Sequence, residues 1–319
     1  MATISKTIAD WPLKRRVKNG VIYRLVIVAL AVLRRLPLSL LQKLGRRLGA
    51  LGCYLASKER KVALENLERV WPEMSDKRRR ELVSAMFANM GQSALECLAL
   101  PRLLADDHPV SFSAGAEARL RAALARGKGA IWVTAHFGNW ELMSAMAATV
   151  APVYVLAKQS YDPRFSELIE RYRRSWGVSC IWVDRPGHLR QTLRALRSGA
   201  IVGILLDQNV ADGPLVPFCG HPARTSPLIP GLVRATSAAV VEGFIYRSEG
   251  RQEIEVSTIE LPAVARVDED ALARALDVLN GTIERAIHRQ PSQWAWSLTR
   301  WRSSSRSRLS SASSTDTLF

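Results

Sequence analysis

After Pro109 the chain alternates short, unbroken apolar runs with longer stretches in which apolar residues recur every three or four positions. The runs at 130–134, 153–157, 180–183, 201–206, 239–245 and 254–259 predict strands, because a strand buried on both faces loses the polar alternation of a half-exposed one. The stretches between them at 116–125, 142–148, 164–176 and 189–196 predict helices, and 270–289 predicts one more with an apolar face. Strand and helix in turn imply an α/β fold with a largely parallel central sheet flanked by helices.

Before Pro109 the pattern is helical. Leu82, Met86 and Met90 recur every four residues with Leu95 five further on, Trp71-Pro72 breaks one helix from the next, and Ser75-Asp76 supplies a cap. These helices are expected to cover the sheet. Earlier still, residues 21–33 are apolar apart from Arg24, and 36–55 are Leu-rich with Lys43, Arg46 and Arg47. The first run is short of the roughly 20 residues that span a bilayer. The second has the character of a helix lying in the interface. Residues 1–57 therefore read as a membrane-associating helical segment, spanning or lying flat, 58–302 as the α/β domain, and 303–319, rich in Ser and Arg, as a disordered tail.

Charge sharpens this picture. The formal net charge is +16, and residues 1–60 hold thirteen Lys and Arg against Asp10 and Glu59. Such a segment suits nucleic acid or an anionic lipid surface, and its apolar runs favour lipid, toward which each basic residue adds roughly 1 kcal/mol. No nucleic-acid partner is expected. No small-residue cleavage site follows the first run, so an anchor rather than a cleaved signal is expected. Cys53, Cys97, Cys180 and Cys219 are widely spaced, which suggests neither a zinc site nor a disulfide framework and fits a reduced, cytosol-facing compartment.

The candidate chemistry lies where the 130–134 strand ends, in Ala135-His136-Phe137-Gly138-Asn139-Trp140-Glu141. Residues five apart on one helix point about 140° away from each other, so His136 and Glu141 meet only across a turn. Gly138 gives that turn backbone freedom and Asn139 can cap the following helix. At the C-terminal end of a strand in an open α/β sheet, where ligands bind, a neutral imidazole can take a proton from a hydroxyl while a carboxylate fixes its tautomer. The hydroxyl then attacks a thioester directly, and no Ser or Cys nucleophile is required.

The segment from His136 to Glu141 resembles the H-x4-D/E motif of the late acyltransferases of lipid A biosynthesis. Further marks follow in order over about residues 21–302. Asp207-Gln208-Asn209 is similar to the family's D-Q segment, Val216-Pro217-Phe218-Cys219-Gly220 to its P-F-x-G and Ala223-Arg224-Thr225 to its A-x-T, and Pro291 to Trp296 with Arg300 to its closing P-x-Q-W/Y-x-W block. The resemblance implies a glycerolipid acyltransferase-like fold, an acyl carrier protein or acyl-CoA donor, a membrane glycolipid acceptor such as a lipid A precursor, an inner-membrane position facing the cytoplasm, and neither metal nor cofactor. It makes His136 the base and Glu141 its partner, with Asp207 and Gln208 helping to build the site. Lys158 stands shortly after the next strand, where many of these enzymes carry Arg. It keeps the charge and loses the bidentate fork.

Other readings stay open at this point. The acceptor could be another lysolipid or a lipid-linked amine, and a non-catalytic membrane or nucleic-acid binding protein could keep the same fold. Asp207 with Asn209, Asp212 and Gly213 also suits an ordinary turn. Arg224 and Thr225 lie in a Pro- and Gly-rich stretch expected to be a loop, there to hold phosphate or simply to be solvated. With Asn139 and Lys158 they complete the expected substrate-binding set. Arg164, Arg171, Arg173 and Arg174 give one helix a basic face, a solvated surface or a dock for an acidic carrier or lipid phosphates. Trp294, Trp296 and Trp301 suit an acyl groove, an interface belt or core packing.

Overall fold

The computed structural model describes residues 11–105, 110–262 and 268–301. Helices α1 (Leu13–Leu33), α2 (Leu38–Leu55), α3 (Ser57–Val70), α4 (Asp76–Glu96) and the single turn α5 (Leu100–Leu103) precede the sheet. Then follow β1 (Val110–Phe112), α6 (Ala116–Ala125), β2 (Ala130–Thr134), α7 (Trp140–Ala147), β3 (Val153–Ala157), α8 (Pro163–Arg174), β4 (Val178–Trp182), α9 (His188–Arg197) and β5 (Ile201–Leu205). A hairpin of β6 (Leu215–Phe218) and β7 (His221–Arg224) leads to α10 (Leu228–Thr236), β8 (Ala239–Ser248), β9 (Arg251–Ile259) and α11 (Glu269–Arg289).

Seven strands form one sheet in the order β1-β9-β8-β2-β5-β3-β4. Its pairs are parallel except β8 with β9. The expected α/β class with a mostly parallel sheet flanked by helices is what the chain adopts. All five residues of β2 are buried, because strands flank it and helices cover both faces. Successive side chains of a strand point to opposite faces. Ile131 and Val133 accordingly join the layer built with Leu67, Met86, Leu196, Leu232 and Ile283, and Trp132 joins the other with Leu103, Leu120 and Leu142.

The first helices meet the domain in two ways. Against α4, α2 packs through glycine: a Cβ on Gly45 would stand 2.6 Å from the Gly91 carbonyl oxygen, and Gly49 and Gly91 have equally little room. None of the residues of α1 is buried. Its fixings are aromatic: Trp11 stacks on Tyr161 at 5.4 Å and Tyr23 meets Phe165 edge-on at 5.5 Å, both next to the start of α8. Among the described residues no helix is long and apolar enough to cross a membrane.

Two differences from the expected elements have a physical cause. The stretch around Arg224, expected as a loop, is the hairpin of β6 and β7, in which Pro217 faces Pro222. Proline donates no ladder bond, so its presence argued against a strand, yet an isolated two-stranded ribbon has outer edges that tolerate it. The basic face of α8 is also less free than its sequence suggests: Arg164 pairs with Asp162, Arg173 with Glu141 and Arg174 with Glu170. The Ser/Arg-rich tail at 303–319 lies outside the described residues.

Candidate active site

Adjacent parallel strands β2, β5 and β3 end at one edge of the sheet. His136 follows β2 there, Asp207 follows β5 and Lys158 follows β3. Leu206 N–H donates to the Thr134 carbonyl at 3.0 Å, which carries the ladder one residue past β5 and sets Asp207 beside His136. Asp207 is fully buried. Its Oδ2 accepts the His136 backbone N–H at 2.8 Å and the Trp294 indole N–H at 2.9 Å, while its Oδ1 lies 2.9 Å from His136 Nδ1.

The carboxylate therefore holds the proton on Nδ1 and leaves the lone pair of Nε2 for chemistry. Burial works to lower the pKa of the imidazole, but the charge and hydrogen bond of Asp207, helped by the charge of Glu141, hold it above the ordinary histidine value. Burial likewise works to raise the Asp207 pKa, and the charge and hydrogen bonds of His136 with the Trp294 donor keep it below the usual carboxylate range.

Glu141 was the expected partner of the ring, and the geometry differs. Its two carboxylate oxygens are taken by Arg173, through Nε at 2.9 Å and through the second guanidinium nitrogen. The guanidinium also reaches Cys180 Sγ at 3.4 Å. Glu141 acts on His136 through space, as a nearby charge, while Asp207 makes the hydrogen bond. The spacing of five residues brings Glu141 near enough for its charge to act on the ring, while its hydrogen bonds go to Arg173.

The intervening turn is tightly specified. Gly138 has φ +58, and a Cβ there would run into the Ile245 carbonyl oxygen. Asn139 caps α7, its Oδ1 accepting from Leu142 N–H at 3.1 Å. Phe137 bridges to Trp294, Gly138 N–H donates to the Gln293 carbonyl at 2.9 Å, and Ala295 N–H donates to the His136 carbonyl at 3.0 Å. The Trp block thus props the turn from below. Trp294 and Trp296 are fully buried, so of their three readings core packing holds.

The remaining expected residues divide. Lys158 and Gln208 are exposed at the same edge as His136. Asn139 is 2% exposed and its amide is used inside the protein. Thr225 is fully buried, with its hydroxyl between Arg300, at 2.7 Å, and Asn280, at 3.3 Å. Arg224 donates to the Gly213 carbonyl at 2.9 Å. These three brace the framework. Arg300 is fully buried and ties together the carbonyls of Gln208 and Arg224, 3.2 and 2.6 Å away. Burial pulls its pKa down to about 10, against the charge of Asp207.

Residues that the sequence did not single out also build the site. Glu96 and Arg247 are far from the motif in sequence and act through long-range pairing, and Arg173, read from the sequence only as part of a basic helix face, pairs with Glu141. Glu96 left one trace, a carboxylate on the apolar stripe of α4 below Leu82 and Met86. Among the described residues no group of three or more His, Cys, Asp or Glu is placed to hold a metal ion.

A histidine at the end of a central parallel strand, its ring hydrogen-bonded through Nδ1 to a buried aspartate, is an arrangement suited to general-base chemistry. The family described as "Bacterial lipid A biosynthesis acyltransferase" matches residues 13–303, and the chain belongs to it. It is similar to the lipid A biosynthesis lauroyltransferase of Escherichia coli (strain K12), with 25% identity over 270 residues that cover 82% of this chain and 85% of that protein.

Proposed function

We propose that this acyltransferase moves a fatty acyl group from a thioester, carried by acyl carrier protein or coenzyme A, to a hydroxyl of a lipid A precursor held at the cytoplasmic face of the inner membrane. The observation that carries this reading is the hydrogen bond between Asp207 and His136 Nδ1 at the exposed edge of the sheet. His136 Nε2 accepts the proton of the acceptor hydroxyl as its oxygen attacks the thioester carbonyl. The carbon–sulfur bond breaks, and the imidazolium returns the proton to the departing thiolate. Asp207 stabilises the imidazolium, and the nearby charge of Glu141, anchored by Arg173, adds to that effect. Lys158 and Gln208 stand at the mouth, where an anionic headgroup or phosphate would lie. The apolar, basic helices α1 and α2 would rest on the membrane and bring the acceptor to that mouth.

The reading is tested by mass spectrometry of glycolipids from host cells lacking the gene, complemented by wild type or by His136→Ala. A glycolipid lighter by one acyl chain, restored by wild type alone, is expected. Unchanged glycolipid with an altered phospholipid or aminolipid would move the acceptor to a lysolipid or lipid-linked amine, and restoration by His136→Ala would sink the assigned base.

A further inference from the structure

At the end of α4, Glu96 is fully buried and receives more hydrogen bonds than an ion pair requires. Its Oε1 accepts from Gln42 and Gln92 amides, both at 2.9 Å, and from Arg247 at 2.7 Å. Its Oε2 accepts from Arg247 at 2.6 Å, Asn139 at 3.0 Å and Gln252 at 3.3 Å. The bidentate Arg247 neutralises the charge by itself. The four amides come from α2, α4, β9 and the turn before α7, and the last of them, Asn139, lies between His136 and Glu141.

We propose that Glu96 is a positioning residue for His136, acting through Asn139. This rests on His136 being the base. Asn139 is bound at both ends: its Nδ2 donates to Glu96 and its Oδ1 caps α7. The bond to Glu96 therefore fixes where α7 begins and how far the turn stands from β2. Ser93 Oγ donates to the Gly138 carbonyl at 3.4 Å and accepts from Arg247 at 3.3 Å, gripping the next residue of the turn. Arg247 also reaches the opposite side: its N–H donates to Gln293 Oε1 at 3.0 Å and its carbonyl accepts from Gln293 Nε2 at 2.9 Å, and the Gln293 carbonyl holds Gly138. The pair of Glu96 and Arg247 thus locks the turn from above and below. Glu96 has no solvent access and no contact with the ring, so it works only by holding the ring's support in register with Asp207.

The decisive variant is Asn139→Ser, which keeps an oxygen to cap α7, drops the donor to Glu96 and leaves Arg247 paired. Using the full chain, kcat, KM and the pH profile of kcat/KM are measured alongside His136→Ala, and the His136 ring is titrated by nitrogen NMR. The charged groups acting on that ring are Asp207 after β5 and Glu141 on α7, the latter paired with Arg173 on α8. A misplacement of about an ångström costs on the order of 100-fold, so kcat is expected to fall by ~10- to 100-fold with KM within about twofold. As the ring slips from Asp207, both its titration and the acid limb of the profile are expected to move to lower pH.

Wild-type kcat with an unmoved acid limb, or a loss of rate that tracks only the folded fraction, would overturn the proposal. Should Asn139→Ser fail to fold, the double variant Glu96→Met with Arg247→Met removes both buried charges together, a change often tolerated. It is expected to show the same shift of the acid limb, and an unmoved limb there counts against Glu96 equally. If His136→Ala keeps its turnover, the base assignment has failed. If His136→Ala is inactive while Asn139→Ser behaves as wild type, the role of Glu96 alone has failed.

Discussion

Asp207 holds His136 twice, taking the backbone N–H on one carboxylate oxygen at 2.8 Å and the ring Nδ1 on the other at 2.9 Å. Main chain and side chain of one residue are thereby fixed by a single group that is itself pinned by Trp294. Asp207→Asn preserves shape and fills the same volume, but its NH2 cannot accept from Nδ1 and favours the opposite tautomer. In an unrelated serine protease such a change costs about 10⁴ in kcat. Here kcat is expected to fall by roughly 10³- to 10⁴-fold with the fold intact, as read by steady-state kinetics and circular dichroism. A loss below about tenfold would mean that Asp207 has no part in setting the tautomer.

The same carboxylates set the pH dependence. His136 must be neutral to act as a base, and its pKa is raised, so the acid limb of kcat/KM should lie above the ordinary histidine value of about 6.5. Glu141→Gln removes one raising charge and should shift that limb to lower pH. Stability runs differently. Asp207 and Glu96 both have depressed pKa values in the folded protein, so their contribution is present above the unfolded carboxylate value of about 4 and is lost as pH falls through the folded values. His136, with a raised pKa, contributes at pH below its unfolded value and loses that contribution as pH rises through the folded one. Thermal melts should therefore show a steep loss of Tm in acid, and Asp207→Asn should flatten it.

Gly138 offers a purely steric test. Its positive φ and the Ile245 carbonyl beside it leave no room for a side chain. Gly138→Ala combines a left-handed alanine with that clash, and such local strain costs of order 1–3 kcal/mol. Denaturant melts should register a loss of at least about 2 kcal/mol, with activity falling further than stability because the strain sits next to His136. An unchanged melt would mean that the turn relaxes without cost.

What the sequence made legible follows from which interactions are local. Strands β2 and β3 matched their expected limits, because parallel strands covered on both faces are written as continuous apolar runs. The site edge was legible too, since each chemical residue follows such a run. What could not be read is which carboxylate bonds the imidazole. Glu141 lies five residues from His136 and Asp207 seventy-one, and only the pairing of β2 with β5 brings the distant one closer. Glu96 and Arg247 escaped for the same reason, as did the bond from the Trp294 indole to Asp207. The hairpin of β6 and β7 was hidden by its prolines.

The exposed face of α1 carries the last prediction. Leu13, Val17, Val21, Leu25, Val28 and Val32 are all half or more exposed and recur at four, four, four, three and four, forming one apolar stripe along the helix. Nothing among the described residues covers this stripe, and Lys14, Lys18 and Arg24 lie beside it. A helix too short of apolar residues to span can still bury such a stripe in the headgroup boundary, with its basic residues drawn to anionic lipid. Leu25→Asp with Val28→Asp puts two charges at the middle of the stripe without touching Trp11 or Tyr23, which hold α1 to α8. In flotation with vesicles containing anionic lipid, the variant should partition at least about tenfold less than wild type, given ~1.5–3 kcal/mol for burying one such side chain. Raised salt should weaken wild-type binding only in part, because the apolar contribution persists. Flotation of the variant equal to wild type would rule out this stripe as a membrane contact.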